Sequence, residues 1–386
     1  MKVNFKTLLF LFIALAMGGM FTACSEDDDL SNGGKPMISY IRVTRPNASD
    51  SLVVKAGQGK MVAIVGDNLA NVRELWFNDQ QAALNPSYIT NTTIITRIPS
   101  QIPNKISNKL RMVFANGEEL LHDFNVDISK PRIDRMMSEY VNIGENATIV
   151  GDFFYEPLKV TFTGGVQGEI VSIKDFKTLT VKVPQGAQPG PITISSNFGE
   201  SESVFWFRDN RNIIASFDAG TSGLWHGPNY IKASDAAVQP INGNFLRIDN
   251  NLGAWAWFET YVGEQSSVAA TENKNIPADA FANPGKYSLK FEINTQEPMT
   301  GAWYRMYMGP DMATKRGDVY YNWQPNLHTE GKWQTVTIPW EDFWKANKEF
   351  AYNPNGYGVS MHFSGPNAVK VKFALDNMRV VPNTKL

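Results

Sequence analysis

The sequence predicts an all-β chain: two small tandem β-sandwiches followed by a larger, jelly-roll-type β-sandwich. Three observations predict it. Between Pro36 and Asp209 the chain runs in short apolar–polar strands punctuated by Gly, Pro and Asn turns. Within that stretch one phrase occurs twice. After Arg211 the composition changes, and eight of the ten tryptophans lie there.

The first 36 residues are read as leader and tether. Lys2 and Lys6 precede an apolar run from Leu8 to Met17 and then Gly18 and Gly19, the layout of a signal peptide too short to span a bilayer comfortably. Phe21-Thr22-Ala23-Cys24 resembles a bacterial lipobox, which implies that residues 1–23 are removed and that Cys24 is lipidated as the first mature residue. Cys24 is the one cysteine, so an intrachain disulfide is excluded. Ser25-Glu26-Asp27-Asp28-Asp29 behind it resembles the export tag of Bacteroidetes surface lipoproteins, which implies an outer-membrane protein, lipid-anchored and facing outward. Residues 24–36 are thus the acidic tag and a polar tether.

The repeated phrase sets the next two domains. Met61–Leu69 reads MVAIVGDNL and Ala147–Phe154 reads ATIVGDFF, with Gly66 and Gly151 85 positions apart. Ile98-Pro99 and Val183-Pro184 are also 85 apart, and Ala115-Asn116-Gly117-Glu118 matches Asn197-Phe198-Gly199-Glu200. Matched landmarks in one order mark an internal repeat. They resemble immunoglobulin-like TIG (IPT) domains, here residues 37–128 and 129–209. Neither copy carries a catalytic or metal-ligand cluster, so both are expected to be spacers, with Trp76 and Trp206 in their cores.

Residues 210–386 are expected to form the third domain, a larger β-sandwich rich in aromatic residues. Tyr287, Leu289, Phe291 and Ile293 alternate with Ser288, Lys290 and Glu292, which predicts one buried and one wet face. Trp340–Ala346, after Pro339, is the one expected helical turn; Trp333, Trp340 and Trp344 are expected to be structural.

The candidate site follows from parity. In Leu252–Tyr261, LGAWAWFETY, a continuous strand puts Trp255 and Trp257 on one face and Phe258, with Leu246 and Ile248, on the core side. Trp303, Arg305 and Tyr307 likewise share the face opposite Tyr304, Met306 and Met308. If both strands belong to one sheet, Trp255, Trp257 and Trp303 line a concave surface on which pyranose rings can stack. Trp225 and Tyr230 in a Gly/Pro loop, and Trp323 in another, are added as rim candidates, with Arg305, Asn229 and Glu259 to fix hydroxyl geometry.

Domain order, the acidic tag behind Cys24, and the phrases Phe245–Ile248, Trp333–Pro339 and Leu375–Val380 together resemble the surface glycan-binding proteins of Bacteroidetes polysaccharide utilisation loci. The closest type is the second of their two binding proteins, which implies xyloglucan, mixed-linkage glucan or a related β-glucan as ligand and other surface components of a glycan-uptake system as partners. Residues 211–386 hold sixteen Lys/Arg and sixteen Asp/Glu, favouring a neutral polysaccharide. The whole-chain net charge of −2 argues against nucleic acid. No cofactor is expected, and His122, His226, His328 and His362 stand at no metal-ligand spacing. A glycoside hydrolase would need two carboxylates flanking a cleft roughly 5–10 Å apart. Glu259, Glu341 and Asp342 are available but unpaired in any motif, so the expectation is binding without catalysis; a protein-binding adhesin is the third reading.

Overall fold

Strand follows strand from Met37 to Pro382, and the fold is all-β with a few short helical turns. The computed structural model describes residues 34–45, 51–218, 230–262, 272–309, 319–346 and 350–383. Cys24, Trp225 and Asn229 lie outside the described residues. The chain divides between Ile128 and Ser129 into two compact units.

In the first unit, Met37–Val43, Met61–Asp67 and Thr93–Arg97 form one antiparallel layer, and Val72–Phe77, Lys109–Phe114 and Glu119–Asp123 with Gln80–Gln81 form the other. Alternate residues meet between them: Ile41, Val62, Ile64 and Ile94 from one side, Leu75, Phe77, Leu110 and Met112 from the other. The second unit begins with a seven-stranded ladder that folds over its own core. Its Val166–Lys174 strand passes between layers, pairing first with Leu158–Phe162 and then with Thr178–Lys182.

The repeated glycines have one job in both sandwiches. The pairing of Met37–Val43 with Met61–Asp67 shifts register between Ile38 and Tyr40, and that of Arg132–Met136 with Asn146–Asp152 shifts between Ile133 and Arg135. At these bulges a Cβ on Gly66 would stand 1.8 Å from the Met37 carbonyl oxygen, and one on Gly151 1.9 Å from that of Arg132. Only glycine allows the strands to close there. Trp76 and Trp206 depart from expectation. Both are half-buried on outward faces, where Arg111 lies 5.2 Å from the Trp76 ring and Arg211 3.8 Å from the Trp206 ring. Each ring is long enough to cover a guanidinium at the surface instead of filling a core.

The carboxy-terminal sandwich has two antiparallel sheets. One runs Ile231–Lys232, Phe245–Leu252, Val369–Pro382, Tyr287–Thr295, Trp333–Pro339, with Ile213–Ala215 added against Val369–Pro382; the other runs Phe258–Val262, Gly358–Ser364, Trp303–Gly309, Tyr321–Trp323. Leu246, Ile248, Leu289, Phe291, Ile293 and Phe373 face Phe258, Tyr304, Met306, Met361 and Phe363 across the core. The Trp340–Ala346 helix caps one end through Trp340 and Phe343, while Trp344 is exposed, contrary to its expected structural role.

The face predicted to be wet is not. Every residue of Tyr287–Thr295 is buried, because the outer side of this sheet is covered by the second small sandwich. Arg379 donates to Glu139 at 2.7 Å and to Glu292 at 2.9 Å, Lys290 pairs with Glu139 at 2.5 Å, and Ser138 Oγ donates to Glu292 at 3.0 Å. A backbone bond from Thr335 N to Met137 O (2.8 Å) continues the seam. Charged side chains at alternate positions look solvated in a sequence; here Lys290 finds its partner 151 residues away.

Candidate functional site

The expected single strand Leu252–Tyr261 is two. Phe245–Leu252 belongs to the first sheet and Phe258–Val262 to the second, and the link between them turns at Trp255, whose φ is 58°. Trp255 and Trp257 therefore do not share a strand face; a turn ahead of an edge strand delivers both to the outer side of the four-stranded sheet. They are 63% and 59% exposed, against near-complete burial for Phe258 beside them.

The register aligns Glu259, His362, Arg305 and Asn322 side by side across all four strands, with Trp303 beside Ser364 in the neighbouring row. These residues point away from the core, since Tyr304, Met306, Met361 and Phe363 between them point into it. The Trp257 ring lies on His362, with ring centroids 3.7 Å apart and planes 27° from parallel. Its Nε1 donates to Glu259 at 3.2 Å, and the Ser360 hydroxyl donates to the other oxygen of that carboxylate. One face and one edge of the indole are thus occupied by the protein, and the other face is left to solvent. Trp255 packs edge-on against Trp303 at 5.3 Å, held by a 2.7 Å bond from its backbone N–H to the Gly365 carbonyl. The Arg305 guanidinium sits 5.2 Å from the Trp303 ring and 4.5 Å from that of Tyr320. A groove of about 350 Å³ continues from Trp303 between Thr300, Gln324, Asn326 and Asn367.

Of the residues singled out in the sequence, Trp255, Trp257, Trp303 and Arg305 come together on this face. Trp323 does not. It lies in a strand, not a loop, and packs edge-on against Phe291 (5.3 Å) and Tyr304 (5.7 Å) on the core side. Tyr230 also turns inward, to Phe258 at 5.7 Å. His362 and Ser360, which seat Trp257, were missed. The signal was present: in Gly358–Ser364, GVSMHFS, the polar Ser360, His362 and Ser364 alternate with Val359, Met361 and Phe363. Glu341, by contrast, pairs with Lys345 across one helical turn at 2.7 Å.

An all-β chain ending in a sandwich with solvent-facing indoles beside amide and guanidinium groups defines a carbohydrate-binding protein. Residues 207–382, which span the carboxy-terminal sandwich, match the family described as the surface glycan-binding protein B xyloglucan binding domain. The whole chain is similar to a surface glycan-binding protein B of Prevotella bryantii, at 26% identity over 91% of this chain and 99% of that one, with a TM-score of 0.68. It shares its fold with a surface glycan-binding protein B from a xyloglucan utilization locus of Bacteroides uniformis, at 18% identity, 90% and 100% coverage and a TM-score of 0.50. A Bacteroides ovatus protein described as IPT/TIG domain-containing is 21% identical over 97% of this chain and 98% of its own. The Prevotella bryantii and Bacteroides uniformis proteins are named as surface glycan-binding proteins. The chain binds polysaccharide.

Proposed function

We propose that the protein is an outer-membrane lipoprotein, anchored through Cys24, that holds a neutral plant β-glucan such as xyloglucan or mixed-linkage glucan for degradation and uptake without cleaving it. The carrying observation is the seating of Trp257. Its exposed ring is already fixed by His362 and Glu259, so stacking a sugar on it costs little further ordering of the side chain. Trp255, Trp303 and Arg305 extend the platform, and the amides of Gln324, Asn326 and Asn367 offer hydrogen bonds to hydroxyls. The balanced charge of the domain suits a neutral chain. Among the described strand positions on this face, Glu259 is the one carboxylate, and Trp257 and Ser360 engage it. That favours binding over hydrolysis, which needs a second carboxylate across the cleft.

Truncating Trp257, Trp255 or Trp303 to alanine is expected to cost more than about 1 kcal/mol of affinity, the threshold for a hot-spot ring, while the melting temperature barely moves. Affinity gels and calorimetry over xyloglucan, mixed-linkage glucan, mannan and pectin read the first effect; a thermal melt reads the second. Normal binding by all three folded variants would place the platform elsewhere. Release of reducing ends on incubation would make the protein a hydrolase. The anchor is tested separately: Cys24→Ala is expected to move the protein out of the membrane fraction, and surface proteolysis of intact cells reports its outward display.

A further inference from the structure

A second cleft, of about 770 Å³, opens on the opposite side of the carboxy-terminal sandwich, where the second small sandwich meets it. One wall is the outer face of the Asn146–Asp152 and Thr178–Lys182 strands, presenting Asn146, Thr148 and Thr178; the other is the turn from His328 to Lys332 and the edge residue Trp333. Trp333 is half-buried and fixed, its Nε1 donating to Gln239 O at 2.7 Å and its ring packed edge-on against Phe245 at 6.0 Å. Among the described residues, no hydrogen bond engages the side chains of Asn146, Thr148, Thr178 or His328. The charges at the mouth are few: Glu330 lies two residues from Lys332, and Glu145 accepts from Gln239 at 3.1 Å. The walls are held together by the buried contacts of Glu139, Lys290, Glu292 and Arg379 next to them, so the space is formed before any ligand arrives.

We propose that this cleft is a second saccharide site, distinct from the indole platform. It takes a short stretch or side branch of a neutral polysaccharide, with one sugar ring against Trp333 and hydroxyls met by Asn146, Thr148 and Thr178. The chemistry is that of a sugar pocket: one aromatic wall, several hydroxyl and amide groups, few charges (Glu145 and Glu330 against Lys332), a preformed domain junction and a volume within the range of roughly 300–1,000 Å³ that ligand sites occupy. It rests on the reading that the protein binds polysaccharide, and adds a second point of attachment for the same polymer. Two sites on one chain raise retention of a long glycan by making the second contact intramolecular.

The test is calorimetric titration of the mature chain with a xylogluco-oligosaccharide. Thr178→Arg fills the cleft from the surface of a strand and spares the packing that Trp333→Ala would loosen. The wild-type protein is expected to bind two equivalents. Thr178→Arg and Trp257→Ala should each leave one, the double variant none, and Thr178→Arg should lower affinity for the polymer roughly tenfold or more as the second attachment is lost. A single equivalent that Trp257→Ala abolishes and Thr178→Arg leaves unchanged overturns the cleft and keeps the platform. A single equivalent lost with Thr178→Arg alone upholds the cleft and overturns the platform. Wild-type protein that binds none of the probe, nor any polysaccharide on an affinity gel, overturns both.

Discussion

At the scale of single residues, two tryptophans show how differently one side chain can be used. Trp340 is fully buried, stacked on Phe343 at 5.5 Å with planes 4° apart and edge-on to Phe350 at 5.4 Å. Removing it leaves a cavity that cannot refill, and Trp340→Ala is expected to cost about 3–5 kcal/mol of stability by denaturant melt. Trp257→Ala opens no cavity and should leave the same melt nearly unchanged; a large loss there would mean that its ring is structural. The sequence distinguished these roles where alternation was unbroken. Trp303 and Arg305 separate cleanly from Tyr304, Met306 and Met308 because the strand runs straight through them. Trp255 reaches the outer face of the four-stranded sheet for a reason parity does not contain, a turn at positive φ between two sheets. Trp323 was misread because nearby Pro325 and Asn322 suggest a loop, whereas the Tyr321–Trp323 strand pairs with Trp303–Gly309 and turns its indole inward.

At the scale of elements, the repeat was legible because glycine is irreplaceable at the bulge. Gly151→Ala would push a methyl group into the Arg132 carbonyl and is expected to destabilise the second unit by at least about 1–3 kcal/mol, the usual cost of overpacking, seen as a lowered denaturation midpoint. In the Val369–Pro382 strand the simple alternation of inward residues runs only to Leu375, and the reason is physical. A register shift opposite Lys290 and Glu292, with Asn377 at φ 52°, flips the inward parity from Val371, Phe373 and Leu375 to Met378 and Val380. The shift also buries Asp376, whose carboxyl is pushed up to about 9, by desolvation first and by Asp218 and Glu292 further, against the backbone N–H of Asn377 that opposes it. The folded chain therefore keeps a proton that the unfolded chain loses above its ordinary pKa of about 4. Stability should fall as pH rises from about 4 toward 9, by up to ~1.4 kcal/mol per pH unit. Asp376→Asn cannot ionise, so its stability relative to wild type should grow across that window. A difference that stays flat from about pH 5 to about pH 9 would show that Asp376 is ionised in the fold.

At the scale of the molecule, the order of two small sandwiches and one large was readable from repeat and composition, but the seam within the second unit was not. Ser288, Lys290 and Glu292 carry the pattern of a solvated face, and no local rule says that Glu139 will be there to meet them. Burial raises the pKa of Glu292, with Glu139 adding to the rise and Arg379 opposing it; the fully buried Arg379, between two carboxylates, is held above its usual value. Such a cluster adds little net stability while intact, because desolvation offsets attraction, yet it penalises loss of one member by about 3–5 kcal/mol. The carboxy-terminal sandwich is consequently not a free-standing module. Residues 211–386 expressed alone would expose Lys290 and the Arg379–Glu292 pair, and with them the outer sheet face that Met137 to Val141 cover. That fragment should melt well below residues 129–386, while any folded portion keeps the platform's affinity for a short oligosaccharide, since Trp255, Trp257 and Trp303 lie on the other sheet. Its affinity for the polymer falls with loss of the cleft wall of Asn146, Thr148 and Thr178. Glu139→Gln in the 129–386 protein should reproduce part of the loss by leaving Lys290 and Arg379 short of one carboxylate. Equal melting temperatures for the two fragments would mean that the buried charges do not couple the sandwiches; loss of the platform's one oligosaccharide equivalent in a fully folded 211–386 fragment would mean that the seam reaches the platform.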